Sequence, residues 1–155
     1  MQKQTINFNN PEAEFILCRN VSGATISLGA PVYFDTAAVT DGFAVSGART
    51  GQKYLFAGIT TQIMASNSTS NNAKQLVQRY GIGSAYVQFA TSATSGTIGM
   101  QLDAVNSAAY LTNYLPIAAS SGTVANPWNF VTLMQTAAAD AANSTPVLKT
   151  VFIRC

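Results

Sequence analysis

The chain has 155 residues, and only 9% of them are charged, against roughly 25% in soluble domains. Its formal net charge of +2 is small and its basic residues are scattered, which argues against the basic stripe of a nucleic-acid-binding surface; we expect no nucleic-acid partner. The chain contains no histidine, which removes the commonest general base and metal ligand. The length predicts one domain.

Targeting and cysteine signals are weak. The first ten residues, MQKQTINFNN, lack the apolar run of a signal peptide, and no apolar segment reaches the 18 residues of a membrane span, so we expect no membrane partner. The two cysteines, Cys18 and Cys155, have neither metal-ligand spacing nor the pattern of a disulfide framework. Cys18 is expected to be a small buried apolar residue.

Residues 1–14 are predicted to form an extended N-terminal arm, and residues 15–155 a single β domain. The arm is polar, with Ile6 and Phe8 as isolated apolar positions and Pro11 as a break. Terminal segments become ordered only when something holds them. The two apolar residues suggest binding to the surface of a neighbouring molecule, and simple fraying is the alternative.

The stretch from residue 20 to 35 is predicted to form two short strands joined by a turn. Ala24, Ile26 and Leu28 alternate with polar residues, which is the period of a half-buried strand. Pro31 cannot donate to a sheet ladder, so it is expected at a strand start or a sheet edge.

Further strands are predicted along the chain. Asp41-Gly42 is a hairpin turn signal, and residues 54–64 predict a strand with a bulge at Gly58. Residues 74–82 have helical spacing in part, but the surrounding β pattern favours a strand that ends in a turn at 81–83.

The later segments 85–90, 98–102, 130–134 and 147–153 complete about ten short strands. Their spacing of 8–12 residues with Gly, Ser and Asn turns is typical of a sandwich or barrel. We therefore predict an all-β protein, one compact β-sandwich or barrel-like domain with an N-terminal arm. The sequence shows no internal repeat.

No catalytic set is visible in the sequence. The six acids are isolated apart from Glu12 and Glu14 in the predicted arm. Asp35 and Asp103 could form a glycosidase-like carboxylate pair in space, but no other feature supports one. We expect no enzyme activity, no catalytic or metal-binding residue and no cofactor.

A few apolar residues are candidates for contact with another protein. Trp128 is the only tryptophan, and it is either a partly buried core ring or an interface anchor, a role in which tryptophan is enriched. The predicted capsid or oligomer contact residues are Ile6, Phe8, Phe15 and Trp128.

Three stretches together resemble the capsid decoration (cement) proteins of tailed bacteriophages. The first is Asn20-Val21-Ser22-Gly23 followed by LGAPV at 28–32 and then Asp35. The second is AGIT at 57–60 through Ile63, followed by the glycine-rich segment 81–99. The third is the pair of segments 133–139 and 147–154 at the end of the chain. The segment 74–80 departs from the pattern, because a polar turn followed by glycine is expected there.

The resemblance implies a β-rich, homotrimeric virion protein, made in the host cytoplasm and placed on the capsid exterior. There it would brace neighbouring copies of the major capsid protein. The alternative within the virion is a phage tail, head-fibre or host-binding β module. A carbohydrate-binding module is a further alternative from a different class of protein.

Overall fold

The computed structural model describes residues 12–36, 43–47, 55–66, 73–89, 96–104, 109–113, 130–136 and 145–155. The nine regular elements in these residues are all strands, which confirms the predicted all-β fold. Within the same residues, no helix is long and apolar enough to cross a membrane. The strands are β1 Glu14–Asn20, β2 Pro31–Phe34, β3 Ala44–Gly47, β4 Phe56–Thr60, β5 Lys74–Val87, β6 Gln101–Ala104, β7 Leu111–Asn113, β8 Val131–Leu133 and β9 Val147–Arg154.

Hydrogen bonds close the strands into two five-membered rings that share β5. The first ring, unit 1, runs β1-β3-β2-β4-β5 and back to β1, and the second, unit 2, runs β5-β7-β6-β8-β9 and back to β5. Both rings therefore have the same order: first, third, second, fourth and fifth strand. In both, the first strand pairs with the third in parallel, and all other pairings are antiparallel. The fold therefore contains a repeat, although the sequence shows none.

The long strand β5 corrects a second prediction. Residues 81–83 were expected to form a turn, but they lie inside the continuous strand. Gly81 has a φ of 96°, and an added Cβ there would come within 2.8 Å of the carbonyl oxygen of Glu12. Gly83 leaves room for the side chain of Gln78. These two glycines therefore allow close packing against a strand and do not form a turn. The prediction that residues 74–82 form a strand and not a helix is confirmed.

One extra residue in β5 changes which side chains face each ring. Phe15 stands opposite Gln78, whereas Glu14 stands opposite Tyr80, so Arg79 is an additional residue in β5. A bulge of this kind shifts the inward and outward alternation by one position. The strand can then turn one side toward the core of unit 1 and the other side toward the core of unit 2.

Each ring encloses its own apolar core. In unit 1 the core is formed by Ile16, Cys18, Ile26, Ala30, Val32, Val45, Ala57, Met64 and Val77. In unit 2 it is formed by Ala85, Val87, Phe89, Leu102, Leu111, Val131, Leu133, Val151 and Ile153, joined by Tyr33, Phe56 and Ile59 from β2 and β4. The prediction that Cys18 is buried is confirmed. Because β2 and β4 supply side chains to both cores, the two units are packed as one body.

The stretch before β2 differs from the predicted hairpin. Residues 24–28 form no strand, and only Ile26 makes an isolated bridge, to Met64. Strand β2 does begin at Pro31, as predicted, but its partners are β3 and β4 rather than a preceding strand. The predicted bulge at Gly58 is confirmed, because the register between β2 and β4 shifts beside it. The turn predicted at Asp41-Gly42 lies outside the described residues.

Candidate protein-binding faces

The described residues bring together little that could support catalysis. They contain no group of three or more side chains able to hold a metal ion. Of the two free cysteines, Cys18 is buried and Cys155 is exposed. Asp103 lies in β6 and Asp35 just after β2. Burial raises the pKa of Tyr33 well above its usual value, and the negative charge of Asp103 adds to this shift.

Exposed apolar side chains are concentrated on two surfaces. Scattered single apolar residues are normal on a protein surface, whereas contiguous groups mark interaction sites. Eleven large apolar side chains are at least two-fifths exposed among the described residues, and six of them lie on β1, β5 and β9. Those six are Phe15, Leu17, Leu76, Tyr80, Ile82 and Leu148.

The first surface, here called face 1, is the outer side of the β1–β5 pair. Leu17 stands directly opposite Leu76, and Phe15 is two residues from Leu17 on the same side of β1. Phe15 is 44% exposed, Leu17 56% and Leu76 48%. Arg19 and Lys74 stand opposite each other at the end of this face. Face 1 is therefore an apolar patch with positive charge at one end.

The second surface, here called face 2, is the outer side of the β5–β9 pair. Ile82 stands opposite Phe152, and Tyr80 stands opposite Arg154. The rings of Tyr80 and Phe152 meet edge to face, with centroids 5.4 Å apart. Further along the same side, the exposed Leu148 stands opposite Tyr86. Face 2 thus also combines apolar side chains with a basic residue.

The two faces lie on opposite sides of β5. Phe15 is paired with Gln78, which is paired in turn with Ile59 of β4. Directly paired residues point to the same side of a sheet, and Ile59 packs into the core of unit 2. Face 1 therefore shares its side of β5 with that core. Ile82 lies on the other side of β5, because its neighbours Gly81 and Gly83 pair with Ile153 and Val151 of that core.

The structure places one of the four predicted contact residues. Phe15 lies on face 1 and is exposed. Ile6, Phe8 and Trp128 lie outside the described residues, as does most of the predicted arm. Strand β1 begins at Glu14, the last residue of the range predicted as arm.

Most residues of the two faces were not predicted from the sequence. Residues 15–18 form an unbroken apolar run, FILC, and β9 contains the run VFI at 151–153. A strand with apolar residues on both sides is ordinarily taken to be buried on both. The signal was therefore present in these runs, but only the closed rings reveal that one side of each strand faces outward.

Comparison with solved structures finds chains with a similar fold. No family model matches the chain, and no curated protein matches it. The chain is similar to the head fiber gp8.5 N base of bacteriophage phi29, with 10% sequence identity and a TM-score of 0.49. The alignment covers 92% of this chain and 94% of that chain.

Proposed function

We propose that this protein is a structural component of a tailed-phage head, and specifically a capsid decoration protein. In this role it binds the outer surface of the shell and braces neighbouring copies of the major capsid protein. The observation that carries the proposal is the presence of two exposed apolar faces on a closed β body. A structural protein needs such binding surfaces, whereas an enzyme needs a set of reactive groups.

The size and chemistry of the faces suit contact with protein. Each buries two or more large apolar side chains when covered, and each such side chain contributes about 1.5–3 kcal/mol if it becomes fully buried. Aromatic residues and arginine are enriched in protein interfaces. Face 1 contains Phe15 with Arg19 beside it, and face 2 contains Tyr80 and Phe152 with Arg154 beside them.

The sequence resemblance to decoration proteins supports the same role, and the structure gives its motif residues structural functions. Asn20 and Ser22 are hydrogen-bonded to each other, with 2.7 Å between the Ser22 hydroxyl and Asn20 Oδ1. Gly29 has a positive φ of 72°, and Pro31 begins β2. These residues shape the segment between β1 and β2 in unit 1, so the motif has a structural role and not a catalytic one.

Self-association into a homotrimer is part of the proposal. Low charge and many small polar residues leave weakly polar surface for packing between copies, and closed symmetry is the usual result of self-association. The choice of three subunits comes from the resemblance. Light scattering on the purified protein should give the mass of three chains, and a monomer at micromolar concentration would contradict this part.

Electron microscopy of purified phage particles tests the proposed function. The particles should come from a phage that carries this gene, compared with particles from a strain lacking it. We expect density on the outer shell, between copies of the major capsid protein, that disappears when the gene is deleted. Density confined to the tail or to projecting fibres would favour the alternative virion role. Absence of the protein from particles would contradict both.

A further inference from the structure

We propose that the protein binds two copies of one partner at the same time, one through face 1 and the other through face 2. This inference rests on the proposed function, and it assigns the partner surface as that of the repeating shell protein. It begins from the observation that units 1 and 2 are equivalent in hydrogen-bond register as well as in strand order. Equivalent units can present equivalent binding faces.

The turn before the second strand has the same structure in both units. It spans Ser27–Ala30 in unit 1 and Thr97–Met100 in unit 2. In each turn the amide of the fourth residue donates to the carbonyl oxygen of the first, at 3.4 Å and 3.1 Å. The third residue is glycine in both, Gly29 with a φ of 72° and Gly99 with a φ of 88°.

The link from this turn to the fourth strand is also repeated. The amide of Gly29 donates to the carbonyl oxygen of Thr60 at 2.9 Å, and the amide of Gly99 donates to that of Leu133 at 2.8 Å. In return, the amide of Thr60 donates to the carbonyl oxygen of Ala30 at 3.0 Å, and the amide of Leu133 donates to that of Met100 at 2.8 Å. Thr60 ends β4 and Leu133 ends β8, the fourth strands of their units.

The contact between the first and third strands matches as well. The amide of Val21 donates to the carbonyl oxygen of Val45 at 3.0 Å, and the amide of Gln88 donates to that of Leu111 at 2.8 Å. Between the fourth and fifth strands, the bond from Thr61 to Leu76 has its counterpart in the bond from Met134 to Thr150. Three independent contacts therefore place the same pairs of positions together in both units.

This register assigns a counterpart in unit 2 to each residue of face 1. In unit 1, Ile16 stands opposite Val77, and in unit 2 the equivalent pair is Gly83 opposite Val151. The residues that precede Ile16 and Gly83 along their strands, Phe15 and Ile82, are therefore equivalent. These two residues are 44% and 45% exposed. Continuing along the strands, Gln78 corresponds to Phe152, Leu17 to Ser84, and Leu76 to Thr150. Faces 1 and 2 thus occupy equivalent positions in the repeated unit. They share one exposed apolar position, Phe15 in unit 1 and Ile82 in unit 2, whereas Leu17 and Leu76 of face 1 correspond to the polar Ser84 and Thr150.

Two related faces on opposite sides of β5 suit a bridging role. A protein that binds two neighbours needs one surface directed toward each, and a repeating shell offers identical surfaces to both. Once one face is bound, the other binds at a high effective concentration, which commonly raises overall affinity by about 10²–10⁴-fold. A protein with only one binding face would bind a shell subunit without joining it to the next.

The charges on the faces define the chemistry of the partner. Face 1 ends in Arg19 and Lys74, which stand opposite each other, and face 2 contains Arg154. Charge complementarity at an interface favours the correct partner and register. The shell surface should therefore be apolar with carboxylates at its border.

The test compares Leu17→Thr on face 1, Ile82→Thr on face 2 and the double variant. Threonine keeps the β propensity of the strand, and both positions are exposed, so the fold is expected to persist. Ile98→Thr is the control, because Ile98 is an apolar residue outside both faces and is more exposed than either Leu17 or Ile82. Binding is measured over a dilution series on capsids assembled from the shell protein encoded in the same genome.

We expect each single variant to weaken apparent affinity by about 10²-fold through loss of bivalent binding. The double variant should show no measurable decoration, and Ile98→Thr should bind like the wild type.

If only one of the single variants weakens binding, the two-face inference is overturned while the proposed function stands. If the wild-type protein does not bind capsids, the proposed function fails. If the variants instead change the mass of the free oligomer, the faces join copies of this chain, and the inference is again overturned. Thermal unfolding identifies a misfolded variant.

Discussion

The side-chain amide of Asn20 donates a hydrogen bond of 2.7 Å to the main-chain carbonyl oxygen of Ala65, a residue 45 positions further along the chain. The same amide donates to the carbonyl oxygen of Ala24 at 2.9 Å. Its oxygen, Oδ1, accepts from the backbone amide of Ser22 at 2.9 Å. Asn20 is fully buried. One side chain thus joins the end of β1, the loop that follows it and the segment after β4.

Replacing Asn20 by alanine should destabilise the protein strongly. The substitution removes three hydrogen bonds: those from the side-chain amide to the carbonyl oxygens of Ala24 and Ala65, and that from the Ser22 amide to Oδ1. Each contributes about 0.5–1.5 kcal/mol. We expect the free energy of unfolding to fall by about 2–4 kcal/mol in urea denaturation. Ser22→Ala is the control and should cost about 1 kcal/mol, because its hydroxyl is less buried. An Asn20→Ala midpoint equal to that of the control would contradict the assigned role.

The importance of Asn20 could be predicted only in part from the sequence. Asparagine followed by serine and glycine indicated a turn, and the structure agrees. The long-range bond to Ala65 could not be predicted, because it depends on how the ring closes. The same holds for the missing strand at 24–28, whose alternation suggested pairing. There Asn20 and the bridge at Ile26 hold the chain in a loop instead.

The repeat of units 1 and 2 was hidden from sequence analysis for a physical reason. Units 1 and 2 have the same pattern of backbone hydrogen bonds, and that pattern depends little on side-chain identity. Their cores differ in chemistry: the polar Asn20 of unit 1 corresponds to Val87 in unit 2, since both stand opposite the third strand in the parallel pairing. Apolar alternation was sufficient to predict strands and the all-β class. It was insufficient to predict which strands pair, or that β5 belongs to both rings.

Gly58 is predicted to be intolerant of alanine. Its φ of 138° is strained for other residues, and an added Cβ would overlap the carbonyl oxygen of Gln78 in the neighbouring strand. The combined cost of backbone strain and overpacking is about 3–5 kcal/mol, to be measured by thermal or urea unfolding. Gly47→Ala provides a control, because nothing lies within 4 Å of a Cβ added there. Its stability should stay within about 0.5 kcal/mol of the wild type, and equal effects at both glycines would refute the packing argument.

Tyr33 should make the protein sensitive to alkaline pH. Its ring is buried against Phe56, with centroids 5.6 Å apart, and burial followed by the charge of Asp103 raises its pKa above the ordinary value of 10.0. A folded-state pKa above the unfolded value means that the neutral form is favoured by folding. This contribution is present in full below pH 10 and is lost as pH rises above that value.

The measurement for Tyr33 is unfolding free energy as a function of pH. The wild type should lose stability more steeply above pH 10 than the variant Tyr33→Phe, which has no hydroxyl to ionise. Below pH 9 the two proteins should give parallel profiles. Tyr80→Phe serves as the comparison, since Tyr80 is 40% exposed. The explanation fails if Tyr33→Phe shows the same loss of stability as the wild type at high pH.

The N-terminal arm is predicted to strengthen binding to the shell without being required for folding. The described chain begins at Glu12, whose carbonyl group packs over Gly81 together with Ala13, so this anchoring lies beyond residues 2–10. Ordering the arm on binding costs roughly 1–2 kcal/mol per residue in backbone entropy. Burial of Ile6 and Phe8 recovers about 1.5–3 kcal/mol each, and pairing of the polar residues with a strand edge of the partner would have to add the rest.

If pairing of the polar residues supplies the difference, the arm adds only a small net binding free energy, so deleting residues 2–10 should weaken decoration rather than abolish it. The truncated protein should keep the thermal stability and oligomer mass of the full chain, and should need a higher concentration to saturate capsids. A full-length variant with Ile6→Ser and Phe8→Ser separates the roles of the two apolar side chains from that of arm length. This variant should lose most of the affinity that the truncated protein loses. Without the two apolar side chains, the contacts of the arm are too weak to offset the entropy lost when the arm becomes ordered. Equal occupancy by the truncated and intact proteins at every dilution, or unfolding of the truncated protein, would contradict this role for the arm.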